Sequence, residues 1–231
     1  LKRYFPRVFE MMADAALNPH FLPVEFEKEV EKTLESLKSN EKDVKTAARR
    51  VESLLSYGKN HPFGEYVSEE SLMNVSLEDL EQLYPKIFHA QNAYLTIVGD
   101  INFETAKSLT EKYFGDWAKG EMISSKFPEP KNVSQTEIAF VEMPNAVQSE
   151  ISVQSTASIN RKKPDYYALT IANQILGGGG EARLFLNLRE DKGYTYGSYS
   201  RFNINYKTKS QIRAFAAVRN TVTDSAVIQI L

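Results

Sequence analysis

Apolar periodicity switches repeatedly between the helical and the strand spacing along this chain, and no other feature limits the possible folds as much. Tyr4, Phe5, Val8, Phe9, Met12, Ala15 and Ala16 recur at three- and four-residue steps, which predicts one apolar helix face over Leu1 to Leu17. Asn18 and Pro19 end that pattern. A second helix is expected from Pro23, with Glu25, Glu27 and Glu29 loading its positive end and Phe26, Val30, Leu34 and Leu37 on its buried stripe. Helical spacing resumes through Ala47, Val51, Leu54 and Leu55 and stops at Gly58. Ser76 and Asp79 mark the start of another helix running to about Phe88, and one more is expected from Phe103 to Phe114. Residues 93–100, 137–142 and 150–155 read instead as strands, rich in β-branched and aromatic residues. Beyond them the pattern predicts helices over 164–176 and 184–189, an antiparallel pair over 194–205 and 210–219, and a last helix from near Val222.

Helices mixed with antiparallel strands in both halves predict the α+β class, with helices packed against a sheet. Residues 119–135 lose all periodicity, and Gly120, Pro128 and Pro130 mark them as a linker. The expected organisation is therefore a first domain over 1–119, a linker over 120–134 and a second domain over 135–231. With 231 residues and 42% hydrophobic side chains, two domains of this size can each bury a core. The 28 basic and 30 acidic residues nearly balance, which gives no reason to expect nucleic acid as a partner. No apolar run approaches the roughly 18 residues of a membrane span. The absence of cysteine excludes disulfides, thiolate-held zinc and iron–sulfur clusters. Leu1 and Leu231 both fall inside periodic segments, so the chain is expected to be a piece of a longer protein.

Few residues have a spacing that suggests chemistry. His20, His61 and His89 have neither a second histidine nor a carboxylate at helical ligand spacing, and are expected at the surface or in capping roles. Glu25, Glu27, Glu29, Glu31 and Glu35 form an acidic face interleaved with Lys28 and Lys32, as a solvated helix would carry. Gly177–Gly180 precedes a helix but lacks a following Lys-Ser/Thr or a G-x-G-x-x-G spacing, so a hinge or tight turn accounts for it better than a phosphate loop. Arg189 and Tyr196 stand seven residues apart, one at a helix end and one at a strand start. They are either a helix cap and an ordinary strand aromatic, or a pair of donors converging on one groove.

Several of these stretches, in their order and spacing, resemble the pitrilysin/insulinase family of zinc metallopeptidases, which includes the mitochondrial processing peptidase. The resemblance runs through Asn60-His61-Pro62-Phe63-Gly64, Asn92 to Asp100 and Lys112 to Trp117. It continues in Ile175 to Gly179, Arg183-Leu184-Phe185, Leu188-Arg189-Glu190 and Lys192 to Tyr196. It implies tandem two-layer α+β domains, each an antiparallel sheet flanked by helices. The family's zinc motif, H-x-x-E-H, is absent from this chain, and the resemblance puts it upstream of Leu1. The third ligand, a Glu on a later helix, would fall at Ser36, with Glu35 beside it but turned about 100° away. The fragment is thus expected to bind no cofactor, with zinc in the family's catalytic half or partner. Arg189 and Tyr196 match the Arg and Tyr with which the zinc-free half contacts a peptide, and Gly177, Gly178 and Gly179 fall on a glycine-rich loop implicated in substrate handling.

Three functions follow from this resemblance. The first is a non-catalytic half or subunit that encloses a peptide with a catalytic peptidase partner or a second copy. Another is an active zinc endopeptidase whose motif lies upstream. The third is a structural assembly subunit. The general resemblance suggests a bacterial periplasm or cell envelope.

Overall fold

Short polar side chains start the helices by satisfying backbone N–H groups that no helical carbonyl can reach. In the computed structural model, which describes residues 2–124 and 126–231, Asp43 accepts from the Thr46 N–H, Ser76 and Asp79 form a reciprocal capping box, and Asn102 accepts from the Thr105 N–H. The helices are α1 (Phe5–Leu17), α2 (Pro23–Asn40), α3 (Val44–Tyr57), α4 (Glu69–Met73), α5 (Leu77–Ile87) and α6 (Phe103–Phe114). They are followed by β1 (Gln148–Ala157), α7 (Asp165–Gly177), α8 (Arg183–Phe185), a π-helical turn at Leu186–Asp191, β2 (Thr195–Phe202), β3 (Ser210–Arg219) and α9 (Thr223–Ile230). Leu1, the first residue of the expected opening helix, and Ser125, inside the expected linker, lie outside the described residues. The class is α+β.

Two compact units make up the chain: Leu1–Glu35 with Ser68–Ser125, and Ser36–Val67 with Lys126–Leu231. The first is organised by aromatic rings. Phe9 is buried in α1 and meets Phe5, Tyr113 and Phe114 at centroid distances of 5.4, 6.2 and 5.6 Å. Trp117 lies between Phe114 and Phe88, and the Tyr84 hydroxyl donates to the Ala16 carbonyl at 2.8 Å.

In the second unit, the described residues form one antiparallel sheet of three strands in the order β1-β3-β2. One face of it is apolar: Ile151, Ala216 and Val218 pack with Leu184, Leu188 and Ala226 from α8, the π turn and α9. The opposite face is polar and carries α3. Gln154 donates to the Glu52 carbonyl, Gln211 donates to Ser56 Oγ and to Gln154 Oε1, and Arg213 pairs with the Glu52 carboxylate. These bonds explain why residues 36–67, which sequence order groups with 1–119, cluster with 126–231.

Two expected strands are corrected. Residues 93–100 and 137–142 carry strand sequence, but neither pairs with another strand among the described residues. Tyr94, Val98, Ile138 and Phe140 are each at least 82% exposed. Alternating apolar residues make a strand only where a neighbouring backbone supplies hydrogen bonds and a core covers one face.

The histidines also need correction. His20 is exposed, but His61 and His89 are buried. His61 stacks on Tyr57 at 4.9 Å and lies against Phe63 and Phe127. Its Nδ1 accepts the Phe63 N–H at 3.0 Å, so the ring is neutral with its proton on Nε2, which donates to Thr208 Oγ1 at 3.2 Å. His89 Nε2 donates to the Glu121 carbonyl. A loop position alone gives no sign of such burial.

Burial holds the His61 pKa below its ordinary value and outweighs the opposing charge of Glu65. An unfolded chain therefore binds the proton more readily than the folded one. Stability is expected to be complete at neutral pH and to fall as pH drops through the ordinary histidine range near 6.5. Denaturant titrations at a series of pH values should show this slope, and His61→Gln should flatten it; an unchanged slope contradicts the assignment. A second prediction concerns Gly177, whose added Cβ would lie 2.1 Å from the Ser200 backbone nitrogen. Gly177→Ala is expected to lower unfolding stability by about 1–3 kcal/mol in chemical denaturation, because backbone must move to admit the methyl. Full retention of stability contradicts this packing role.

Candidate functional site

Arg189 and Tyr196 sit at two departures from regular backbone geometry. Leu186–Asp191 winds as a π turn, in which the Lys192 N–H reaches back five residues to the Asn187 carbonyl at 3.0 Å. Such turns break the helical ladder and are frequent at functional sites. The chain then reverses. Gly193 N–H bonds to the Arg189 carbonyl at 3.1 Å and Tyr194 N–H to the Leu188 carbonyl at 2.8 Å. Gly193 makes the reversal in the left-handed region, at φ +62°, where a side chain would be strained. Arg219 Nη2 donates to the Gly193 carbonyl and fastens the turn to the end of β3.

A β-bulge follows at once. Thr195 is opposite Val218 and Ser198 is opposite Ala216, so Tyr196 and Gly197 together face the single residue Ala217. The Thr195 hydroxyl secures this arrangement by donating to the Ala217 carbonyl at 2.6 Å and accepting the Gly197 N–H at 3.1 Å. Bulges re-aim side chains. The Tyr196 side chain is 87% exposed here, whereas Ser198 and Ser200 on the same strand are buried.

Arg189 is also accessible. Its guanidinium lies over the Phe185 ring, 4.7 Å from the centroid, and its Nε is 3.6 Å from Glu190 Oε1. That separation is too long for a hydrogen bond, and an exposed ion pair of this kind is weak. The ring fixes the base of the side chain while the N–H donors stay free to meet an acceptor. The segment therefore presents a guanidinium and a phenol on either side of one tight turn. Both suit peptide carbonyls or carboxylates, which accept hydrogen bonds. Thr195, Arg219 and the π turn escape sequence reading, since their roles depend on bonds between distant segments.

The glycines at the end of α7 have a packing explanation. Gly177 is buried against β2, and an added Cβ at Gly178 would lie 2.6 Å from Gln174 Cα. Ser200 Oγ donates to Asn173 Oδ1 at 3.0 Å and holds α7 against the strand. Gly179 has more room, with only Gln174 Nε2 at 3.7 Å.

Ser36 and Glu35 are exposed on α2. The Ser36 hydroxyl accepts from Asn40 Nδ2 at 3.3 Å. A neutral serine held in this way is a poor zinc donor beside a carboxylate. Among the described residues, no three or more His, Cys, Asp or Glu side chains group as metal ligands. No helix among them is long and apolar enough to cross a membrane.

The family model described as the peptidase M16 inactive domain matches residues 74–229. A probable inactive metalloprotease of Bacillus subtilis, YmfF, is 26% identical over 165 residues, covering 70% of this chain and 38% of its own length. An uncharacterized zinc protease of the same organism, YmxG, is 25% identical over 209 residues, covering 89% of this chain and 49% of its own length. A crystal structure of a peptidase M16 inactive domain from Pseudomonas fluorescens superposes with a TM-score of 0.83 at 23% identity, covering 96% of this chain and 53% of that one. The chain thus spans about half or less of the length of these relatives. The match to the family model covers more than half of the residues, and the chain belongs to the peptidase M16 inactive-domain family.

Proposed function

We propose that this chain is part of the non-catalytic half or subunit of a zinc peptidase pair, and that it binds and encloses a peptide which a catalytic partner or second copy cleaves. The observation that carries this reading is the pairing of exposed Arg189 and Tyr196 across one glycine turn, each set there by an irregularity of the backbone. Ser36 supports it further, because the position that would complete a metal site holds a weak, neutral donor. The similarity to a protein named as an inactive metalloprotease supports it too.

Physically, the role is one of positioning. An arginine fork and a phenol hold carbonyls in place, and an enclosing wall limits where an unfolded peptide can lie. Gly178 and Gly179 would border this path, while Gly177, buried against β2, would set the end of α7 beside it. A second reading, an active zinc endopeptidase, draws on the similarity to a protein named as a zinc protease. Ser36 weighs against it.

Arg189→Ala and Tyr196→Ala are each expected to weaken binding of an unfolded peptide about tenfold, the loss of one good hydrogen-bonding contact. Fluorescence anisotropy with a labelled peptide measures this, and circular dichroism should show the fold intact, since both side chains are exposed. Unchanged affinity in both variants contradicts the reading and favours a structural assembly role. Zinc content and peptide turnover supply the separate prediction for the second reading. The purified protein should hold substoichiometric zinc and cleave nothing without its partner; stoichiometric zinc with autonomous cleavage overturns the non-catalytic assignment.

A further inference from the structure

The polar face of the sheet holds an excess of positive charge that the peptide-contact turn does not use. Arg201 on β2 is the direct cross-strand neighbour of Arg213 on β3. Like charges placed opposite one another destabilise a strand pair. Both guanidiniums lean over the Phe215 ring, with Cζ 5.7 Å and 4.3 Å from its centroid. One carboxylate is bonded to them, and a second, Glu150 on β1, lies near enough to feel the charges of Arg49 and Glu52. Glu52 on α3, with its side chain 13% exposed, is bonded to Arg213. Arg49 lies one helical turn before Glu52 and lines the same cleft, which has a volume of about 290 Å³. Among the described residues, neither Arg49 nor Arg201 has a carboxylate within ion-pair distance. Three arginines against Glu52 and the more distant Glu150 leave the cleft with a net positive charge.

Its floor is already fixed. Gln211 donates to Ser56 Oγ at 3.1 Å and to Gln154 Oε1 at 2.8 Å, and Gln154 donates to the Glu52 carbonyl at 3.0 Å. Arg213 is anchored by Glu52, while Arg49 and Arg201 stand exposed at the rim with their donors open. A fixed base with two movable guanidinium forks suits a planar anion with two oxygens. Glu52 would repel a doubly charged group more strongly than a singly charged one.

We propose that this cleft binds a carboxylate of the peptide ligand, supplied either by its C-terminus or by an Asp or Glu side chain. The proposal rests on the peptide-binding reading above and adds a chemical preference to it. Arg201 and Arg49 grip the carboxylate, and Glu52 keeps Arg213 in place beneath it.

The test uses one labelled peptide in three forms: free acid, C-terminal amide, and free acid with its Asp and Glu replaced by Asn and Gln. Affinity is measured by anisotropy for the unaltered protein and for the Arg201→Gln, Arg49→Gln and Arg189→Ala variants. Removal of the recognised carboxylate should weaken binding to the unaltered protein about fivefold, and this difference should shrink in Arg201→Gln and Arg49→Gln. Whichever altered peptide shows the loss identifies the source. In Arg189→Ala all forms should weaken together, with their ratio kept. Equal binding of the three forms by the unaltered protein overturns the carboxylate cleft and leaves the peptide reading standing. A ratio that survives in both Arg201→Gln and Arg49→Gln also overturns it. Absence of binding in every form overturns both.

Discussion

Strand β3 lies at the centre of the second unit, and the difference between its two faces governs much of what surrounds it. Ala216 and Val218 point to the apolar side, where Leu188, Leu184 and Ala226 close over them and almost no solvent reaches. Burial of a Leu- or Val-sized side chain contributes on the order of 1.5–3 kcal/mol, so this contact is what keeps the π turn and α9 seated. Gln211, Arg213 and Phe215 point the other way, and the first two receive α3 through polar contacts. The strand thus joins an apolar layer that supports the turn between Arg189 and Tyr196 to a polar layer that carries the arginine cleft.

The turn between Arg189 and Tyr196 depends on that seating. Leu188 is fully buried and immediately precedes Arg189, so the core fixes the point from which the guanidinium extends. Val218, equally buried, sits opposite Thr195 and sets the register at which the bulge begins. Between these two anchors the backbone has to widen into a π turn, reverse at Gly193 and insert one extra strand residue. The exposed Arg and Tyr are consequences of where the buried residues on either side are held. A preorganised pair of this kind loses less freedom on meeting a ligand than two free side chains would.

Much of the secondary structure was legible in the sequence, and the reasons for the exceptions are physical. Helices announce themselves locally: Asn102, Asp43 and Ser76 each cap the helix that the apolar spacing predicts. Strands β1, β2 and β3 were also legible, because each has a partner. Residues 93–100 and 137–142 carry equally good strand sequence, yet no sequence can state whether a partner strand is present. Burial of His61 was hidden for a related reason, since Tyr57 and Phe63 flank it but Phe127 and Thr208, which complete its surroundings, come from two distant parts of the chain. Arg189 and Tyr196 could be picked out by their resemblance to a family pattern. The cleft of Arg49, Arg201 and Arg213 could not, because the cross-strand register that brings the last two together is a property of the folded sheet.

The central claim is that a peptide is held at the turn between the π helix and the bulge. Hydrogen–deuterium exchange with and without a saturating unfolded peptide tests it most directly. The account predicts slowed amide exchange over Leu186–Gly197, centred on Gly193 to Gly197. Peptide binding that leaves exchange in that segment unchanged would contradict it.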